Sequence, residues 1–174
     1  MIMDPGLDTG PMLASRAIPI APDETAESLH DKLAQLGAEL LPDTLLAYLG
    51  GDLMPVPQPG EGVTHAPTLD KEDGHLDWTQ SAVEIDRHVR AYDPWPGTYA
   101  FLDGQRLKVI SGKPLPDHTA GAAPGTLVTW ESGLAVQTGA GLYALDAIQP
   151  AGKTVMGSDA YLAGHPEAVG QMLS

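Results

Sequence analysis

The 174 residues contain no cysteine. That excludes a disulfide framework, a thiolate nucleophile and a cysteine-ligated zinc site. Positive charge is scarce. Nine Lys and Arg stand against 23 Asp and Glu, for a formal net charge of −14. So acidic a surface excludes wholesale nucleic-acid binding, and contact with a phosphate backbone requires a local basic patch. No apolar run approaches the roughly 18 residues of a membrane span, and the opening lacks the basic-then-apolar pattern of a secretory signal. The expectation is a soluble, cytoplasmic protein with no membrane partner. The six histidines show neither His-x-His nor His-Glu-x-x-His spacing, so no metal site is expected. No glycine-rich loop lies between a strand and a helix in phosphate-binding spacing.

A chain of this length can bury one ordinary core or two small ones. "PMLASRAIPIAP" reads as a strand ending at Pro22, and "DETAESLHDKLAQLGAELLPDTLLAYLGG" as helix, with Leu29, Leu33, Leu36 and Leu40 on one apolar face. Pro42 is expected to kink that helix or to begin a second one, and Gly50-Gly51 to stop it. The proline-rich stretch 51–68 reads as an extended linker. Beyond it, Ser81 and Glu84 have the spacing of a capping box, ahead of a stripe formed by Ile85, Val89 and Tyr92. His88 is expected on the solvated flank of that helix. "TYAFLDGQRLKVI" is a hairpin pattern, because Asp103-Gly104 suits a type I′ turn between alternating arms. "GTLVTW", "LAVQT" and "LYALDAI" supply three more strands, with Gly139-Ala-Gly141 as a turn between the last two, which predicts a small OB-type barrel. A short helix over 158–163 is expected near the end.

The opening "MIMDPGLDTGPML" presents Asp8 in a loop rich in Gly and Pro. Pattern alone leaves Asp8 open between a turn residue and an active-site carboxylate. "LDTG" also matches the aspartic-protease signature, in which two acids share a proton. However, no second Asp-Thr-Gly occurs, and Pro11 follows at once.

"IMDPGLDTGPML", "ETAESLHDKLAQLGAELL", "THAPTLDKEDGHLDW", "EIDRHVRAYDPWPGTYAFLDGQRLKV" and "IQPAGKTVMGSDAYLAG" resemble, in order, the methionyl-tRNA formyltransferases over nearly the whole chain. Sugar-nucleotide formyltransferases share the Asp loop and a Pro-Trp-Pro-Gly-like turn, whereas the ending from "QPAGK" to "YLAG" favours the tRNA enzymes. The resemblance implies an α/β plus β fold. Residues 1–50 would be the end of a Rossmann-like catalytic domain (strand then helix), 51–68 the linker, and 69–174 an OB-like β-barrel C-terminal domain.

The implied activity is transfer of formyl from 10-formyl-tetrahydrofolate, as co-substrate, to the amine of methionyl initiator tRNA, by a monomer without a metal. Asp8 takes the place of the family's catalytic aspartate, in an active-site loop with Gly6, Thr9 and Gly10. An ionised Asp beside the family's histidine favours its protonated form and fixes its orientation. Donors from an Asn-x-His segment stabilise the tetrahedral oxyanion. That segment and the main folate site are expected to precede Met1, which would leave this chain an inactive fragment or a non-catalytic tRNA-binding module. The family's C-terminal domain contacts tRNA. Arg87 and Arg90 on one helix face, Arg106 and Lys108 on one strand face, and Lys153 are the implied contacts, with ordinary solvated charge as the competing reading. Thr68 departs from the family, which commonly has lysine there.

Overall fold

The computed structural model describes residues 1–174, which divide into two compact units, Met1–Thr68 and Leu69–Ser174. No helix is long and apolar enough to cross a membrane.

The main element of the first unit is helix α1 (Ala26–Gly50). It starts where the chain can satisfy its own orphan amides. The Thr25 hydroxyl accepts from the Ser28 N–H at 3.2 Å, and Ser28 Oγ accepts in return from the Thr25 N–H at 3.1 Å. Just before the cap, the buried carboxylate of Glu24 accepts from the Ser28 hydroxyl and, at 2.7 Å, from Lys32 Nζ. These bonds, Lys32 first and Ser28 second, hold the Glu24 carboxyl down at about 2, against an ordinary 4.5. Gly51 ends the helix in the left-handed region at φ 81°.

Pro42 begins no second helix; it lies inside this continuous one. A proline removes a single i→i−4 donor, and the flanking turns persist around it. The leucine stripe is only partly covered, with Leu29, Leu36 and Leu40 half-buried and Leu33 exposed. The strand expected over 11–22 does not form. Met12 bridges Val56 through two reciprocal 2.8 Å backbone bonds, and the rest of that stretch pairs with no strand. A strand needs a continuous partner, and here one residue meets one residue.

The second unit begins with α2 (Ala82–Ala91), whose capping box is formed by Ser81 and Glu84 as the spacing predicts. Ala82, Ile85 and Val89 are buried, whereas Tyr92 is half-buried with the half-buried His88 stacked on it at 5.6 Å. Six strands follow: β1 (Thr98–Leu102), β2 (Gln105–Leu115), β3 (Leu127–Trp130), β4 (Gly133–Gln137), β5 (Leu142–Pro150) and β6 (Met156–Gly157). Asp103 and Gly104, at φ 49° and 72°, make the β1–β2 turn with the two positive φ values that a type I′ turn requires.

The sheet is antiparallel, in the order β1-β2-β5-β4-β3, with β6 pairing β5. It is open, and this corrects the expected OB-like barrel: β1 and β3 do not pair with each other. The last residues take up both edges instead. Phe101 and Ser174 exchange two backbone bonds at 2.7 and 3.0 Å, and Leu127 bonds Gln171 and Gly170, each at 2.8 Å. Helix α3 (Ser158–Gly164) starts at the predicted residue. Its first residue, Ser158, is buried, and its hydroxyl donates to the Leu145 carbonyl and accepts from the Leu134 N–H. Ile85, Val109, Leu127, Leu134, Tyr143 and Ile148 meet at the centre of the core.

Two outcomes follow. Ile85→Ala should cost about 2–5 kcal/mol through lost burial and a residual cavity. Arg87→Ala, on the exposed side of the same helix, should stay within about 0.5 kcal/mol. Urea unfolding followed by tryptophan fluorescence reports on this unit, since Trp78, Trp95 and Trp130 all lie in it; equal losses would contradict the packing described. For Glu24, a carboxyl depressed in the folded state stabilises fully above its unfolded value near 4.5 and loses that stabilisation as pH falls towards 2. Helicity at 222 nm should therefore decline across that window, and Glu24→Gln should flatten the decline.

Candidate functional site

The opening loop is organised by a short side chain. Asp4 Oδ1 accepts from the Gly6 N–H at 3.1 Å and from the Thr9 hydroxyl at 2.7 Å, an Asx turn closed by one further bond. The Ile2 N–H donates to the Pro11 carbonyl at 2.9 Å, which draws the two ends of the loop together. Two glycines are needed for space. A Cβ on Gly10 would run into the Ile2 carbonyl oxygen, and one on Gly6 into Thr9 Oγ1. The residue that bends in the left-handed sense is Asp8 itself, at φ 54°. Asp is among the few side chains that visit this region, at some cost in energy.

From beyond α1, Gln58 reaches back to this loop. Its Nε2 donates to the Asp8 carbonyl at 2.8 Å and to the Gly10 carbonyl at 2.7 Å. The exposed Asp8 lines an open groove of about 590 Å³ with Leu7 and Thr9 on one side and Gln58, Pro59 and the run from Glu61 to Ala66, His65 among them, on the other. Gly6, Asp8, Thr9 and Gly10 are thus gathered in one pinned turn. Sequence reasoning misses Asp4 and Gln58. The Asp-Pro-Gly signature of an Asx turn is a signal for Asp4, whereas nothing local marks Gln58.

In the second unit the five candidate cations fall into three places. Arg106 and Lys108 project from one face of β2 and are exposed, while Leu107 and Val109 between and after them are buried, as the alternation predicts. They stand opposite Phe101 and Tyr99 in the β1–β2 register. Arg106 lies over the Tyr99 ring at 3.6 Å, and His75 stacks on that ring at 5.3 Å. On α2, Arg87 is exposed, whereas the half-buried Arg90 pairs through Nε with Asp86 Oδ2 at 2.9 Å. Lys153 is exposed in the turn after β5. The structure therefore joins Arg106 to Lys108 but ties Arg90 to an acid on its own helix. No group of three or more His, Asp or Glu side chains is placed to hold a metal ion. Deep in the core, burial pushes the Tyr143 hydroxyl well above the ordinary tyrosine range.

Residues 1–45 match the formyl transferase family, and residues 68–166 match the formyl transferase C-terminal domain. The methionyl-tRNA formyltransferase of Myxococcus xanthus is 48% identical over 171 residues, which cover 98% of this chain and 54% of that protein. The one from Gluconacetobacter diazotrophicus is 44% identical over 173 residues, covering 99% of this chain and 55% of that protein. The chain thus spans about half the length of the relatives it matches. Among solved structures, HypX from Aquifex aeolicus in complex with tetrahydrofolic acid is similar with a TM-score of 0.66 at 19% identity, over 95% of this chain and 29% of that one. The N-formyltransferase from Helicobacter canadensis, in complex with folinic acid and dTDP-3-aminofucose, gives 0.60 at 16% identity, over 82% of this chain and 52% of that one. At such identities the likeness is one of fold. With both units matched in order, and nearly half the residues of this chain shared with a relative along almost its whole length, the chain belongs to the formyl transferase family.

Proposed function

We propose that the chain carries the carboxylate loop and the tRNA-contacting domain of a methionyl-tRNA formyltransferase, a cytoplasmic monomer. One observation carries the reading: a chain 48% identical to such an enzyme presents Asp8 from a pinned turn into an open groove. In the reaction, the methionyl amine nitrogen bonds to the formyl carbon of 10-formyl-tetrahydrofolate, the bond from that carbon to N10 breaks with its electron pair going to N10, and the proton lost by the amine balances the one N10 takes up to give tetrahydrofolate. Family membership and the tetrahydrofolate complex of the HypX neighbour support folate as the formyl donor. The part of Asp8 is electrostatic. A carboxylate held at a fixed place favours the charged form of a neighbouring histidine and orients it.

Arg87, Arg90, Arg106, Lys108 and Lys153 are the proposed tRNA contacts. The exposed pair on β2 is the best placed, because its two charges share one face. A sugar-nucleotide substrate is the second reading, and the Helicobacter canadensis neighbour favours it. The curated relatives, at 41–48% identity, favour tRNA. The aspartic-protease reading has no support from either source.

For Asp8→Asn, measured with this chain joined to the N-terminal half of the Myxococcus xanthus relative, turnover should fall about a hundredfold or more. KM values should move little, since Asn keeps the size and turn preference of Asp. Near-normal turnover would return Asp8 to the status of a turn residue. Binding of initiator methionyl-tRNA should weaken steeply with salt. Lys108→Ala should reduce the slope of log K against log salt by about 1, as the loss of one phosphate contact requires. An unchanged slope would leave Lys108 as solvated charge.

A further inference from the structure

We propose that Gln58 is a positioning residue for Asp8, an inference that rests on the catalytic reading of that aspartate. The two N–H groups of one carboxamide are spent on two carbonyls two residues apart, those of Asp8 and Gly10. Only the nitrogen end of the amide can face two acceptors, so the orientation of the Gln58 head is set by the bonds themselves. Together they fix the peptide planes that follow Asp8 and Gly10, and so limit how the backbone on either side of Thr9 can turn.

The loop's own network does not reach that far. Asp4 holds the Gly6 N–H and the Thr9 hydroxyl but touches neither carbonyl. Asp8 meanwhile sits at φ 54°, a conformation that relaxes to ordinary values unless something outside the residue holds it. A shift back to negative φ would swing the carboxylate away from its present place on the groove wall. Gln58 is well made to prevent this. Pro57 and Pro59 flank it, and they hold the backbone extended on both sides, so the side chain projects from a stiff segment. That segment continues as the opposite wall of the groove that Asp8 lines. The stretch that reads as a linker thereby reaches into the site and sets the aim of its carboxylate.

The test uses Gln58→Glu, which keeps the shape but replaces both donors with a charged acceptor, and Gln58→Ala, which removes the head altogether. In the chain itself, exchange of the Gly6 amide, which Asp4 holds within the same loop, should quicken at least tenfold in both variants, while the amides of β2 and β5 keep their protection. In the joined enzyme, kcat should fall at least tenfold with KM values within twofold. The double variant Gln58→Glu with Asp8→Asn should be no slower than Asp8→Asn alone, because the amide acts only through that carboxylate. Multiplying losses would mean a separate structural role and would overturn the proposal. So would near-normal kcat in both Gln58 variants beside a crippled Asp8→Asn, although the catalytic reading of Asp8 would then stand. An active Asp8→Asn would overturn both together.

Discussion

Every open antiparallel sheet leaves two rows of backbone N–H and C=O groups without a strand beside them, and the second unit depends on how these rows are met. Its answer is the segment 170–174, which bonds β3 through Leu127 and β1 through Phe101. The same segment delivers the buried Leu173 into the core. One stretch of chain thus satisfies polar groups at both edges and fills apolar space between them. The opposite demand, cover for a sheet face, is met by α2, whose Ile85 and Val89 pack in the same core as Val109 and Tyr143. With both met, the exposed face of β2 is free to carry Arg106 and Lys108, because Leu107 and Val109 anchor the strand from the other side.

What could be read from the sequence was whatever is decided within a few residues. The Ser81–Glu84 box, the Asp103-Gly104 turn and the onset of α3 at Ser158 are local chemistry, and each forms where its residues predict it. What escaped is decided at long range. β2 runs on through Ser111, Gly112, Lys113 and Pro114, past the end of the hairpin pattern at Ile110, because β5 offers a continuous partner from Leu142 to Pro150. A bulge near Ile110 and Ser111 absorbs the misfit between the two halves of that strand. Five short strands can end in a closed barrel, but the pairing of the final residues with both edges lies outside any pattern of alternation. The same division holds at the site. Glycines around Asp8 announce a tight turn, whereas a glutamine 48 residues past Gly10 in sequence gives no hint that it meets the Gly10 carbonyl.

The two units treat charge in different ways. In the first, acids are used for backbone control: Glu24 anchors the start of α1, and Asp4 shapes the opening loop. Asp8 differs from both, because its side chain is left exposed on the groove while its backbone carbonyl is engaged. In the second unit, several acids are spent on caps and turns, as with Glu84 at Ser81 and Asp77 at Thr79. Hydrogen bonds from Ser81 and Thr79 hold both of those carboxyls below their ordinary range. The large negative balance of the chain is therefore partly committed to local structure, in carboxylates that stay ionised.

Arg106 has a further property that follows from its place over Tyr99. An arginine side chain in water samples many rotamers, and an anion that captures it must first bear the loss of that freedom. Here the guanidinium already lies over a ring that His75 supports by stacking. That contact, made within the fold, narrows the range of rotamers left to the side chain. Lys108, two residues along the same strand, is exposed at the end of a flexible four-carbon stem. The neighbouring cations thus differ in kind. One is a planar cation packed against a ring, and the other a compact charge on a flexible stem.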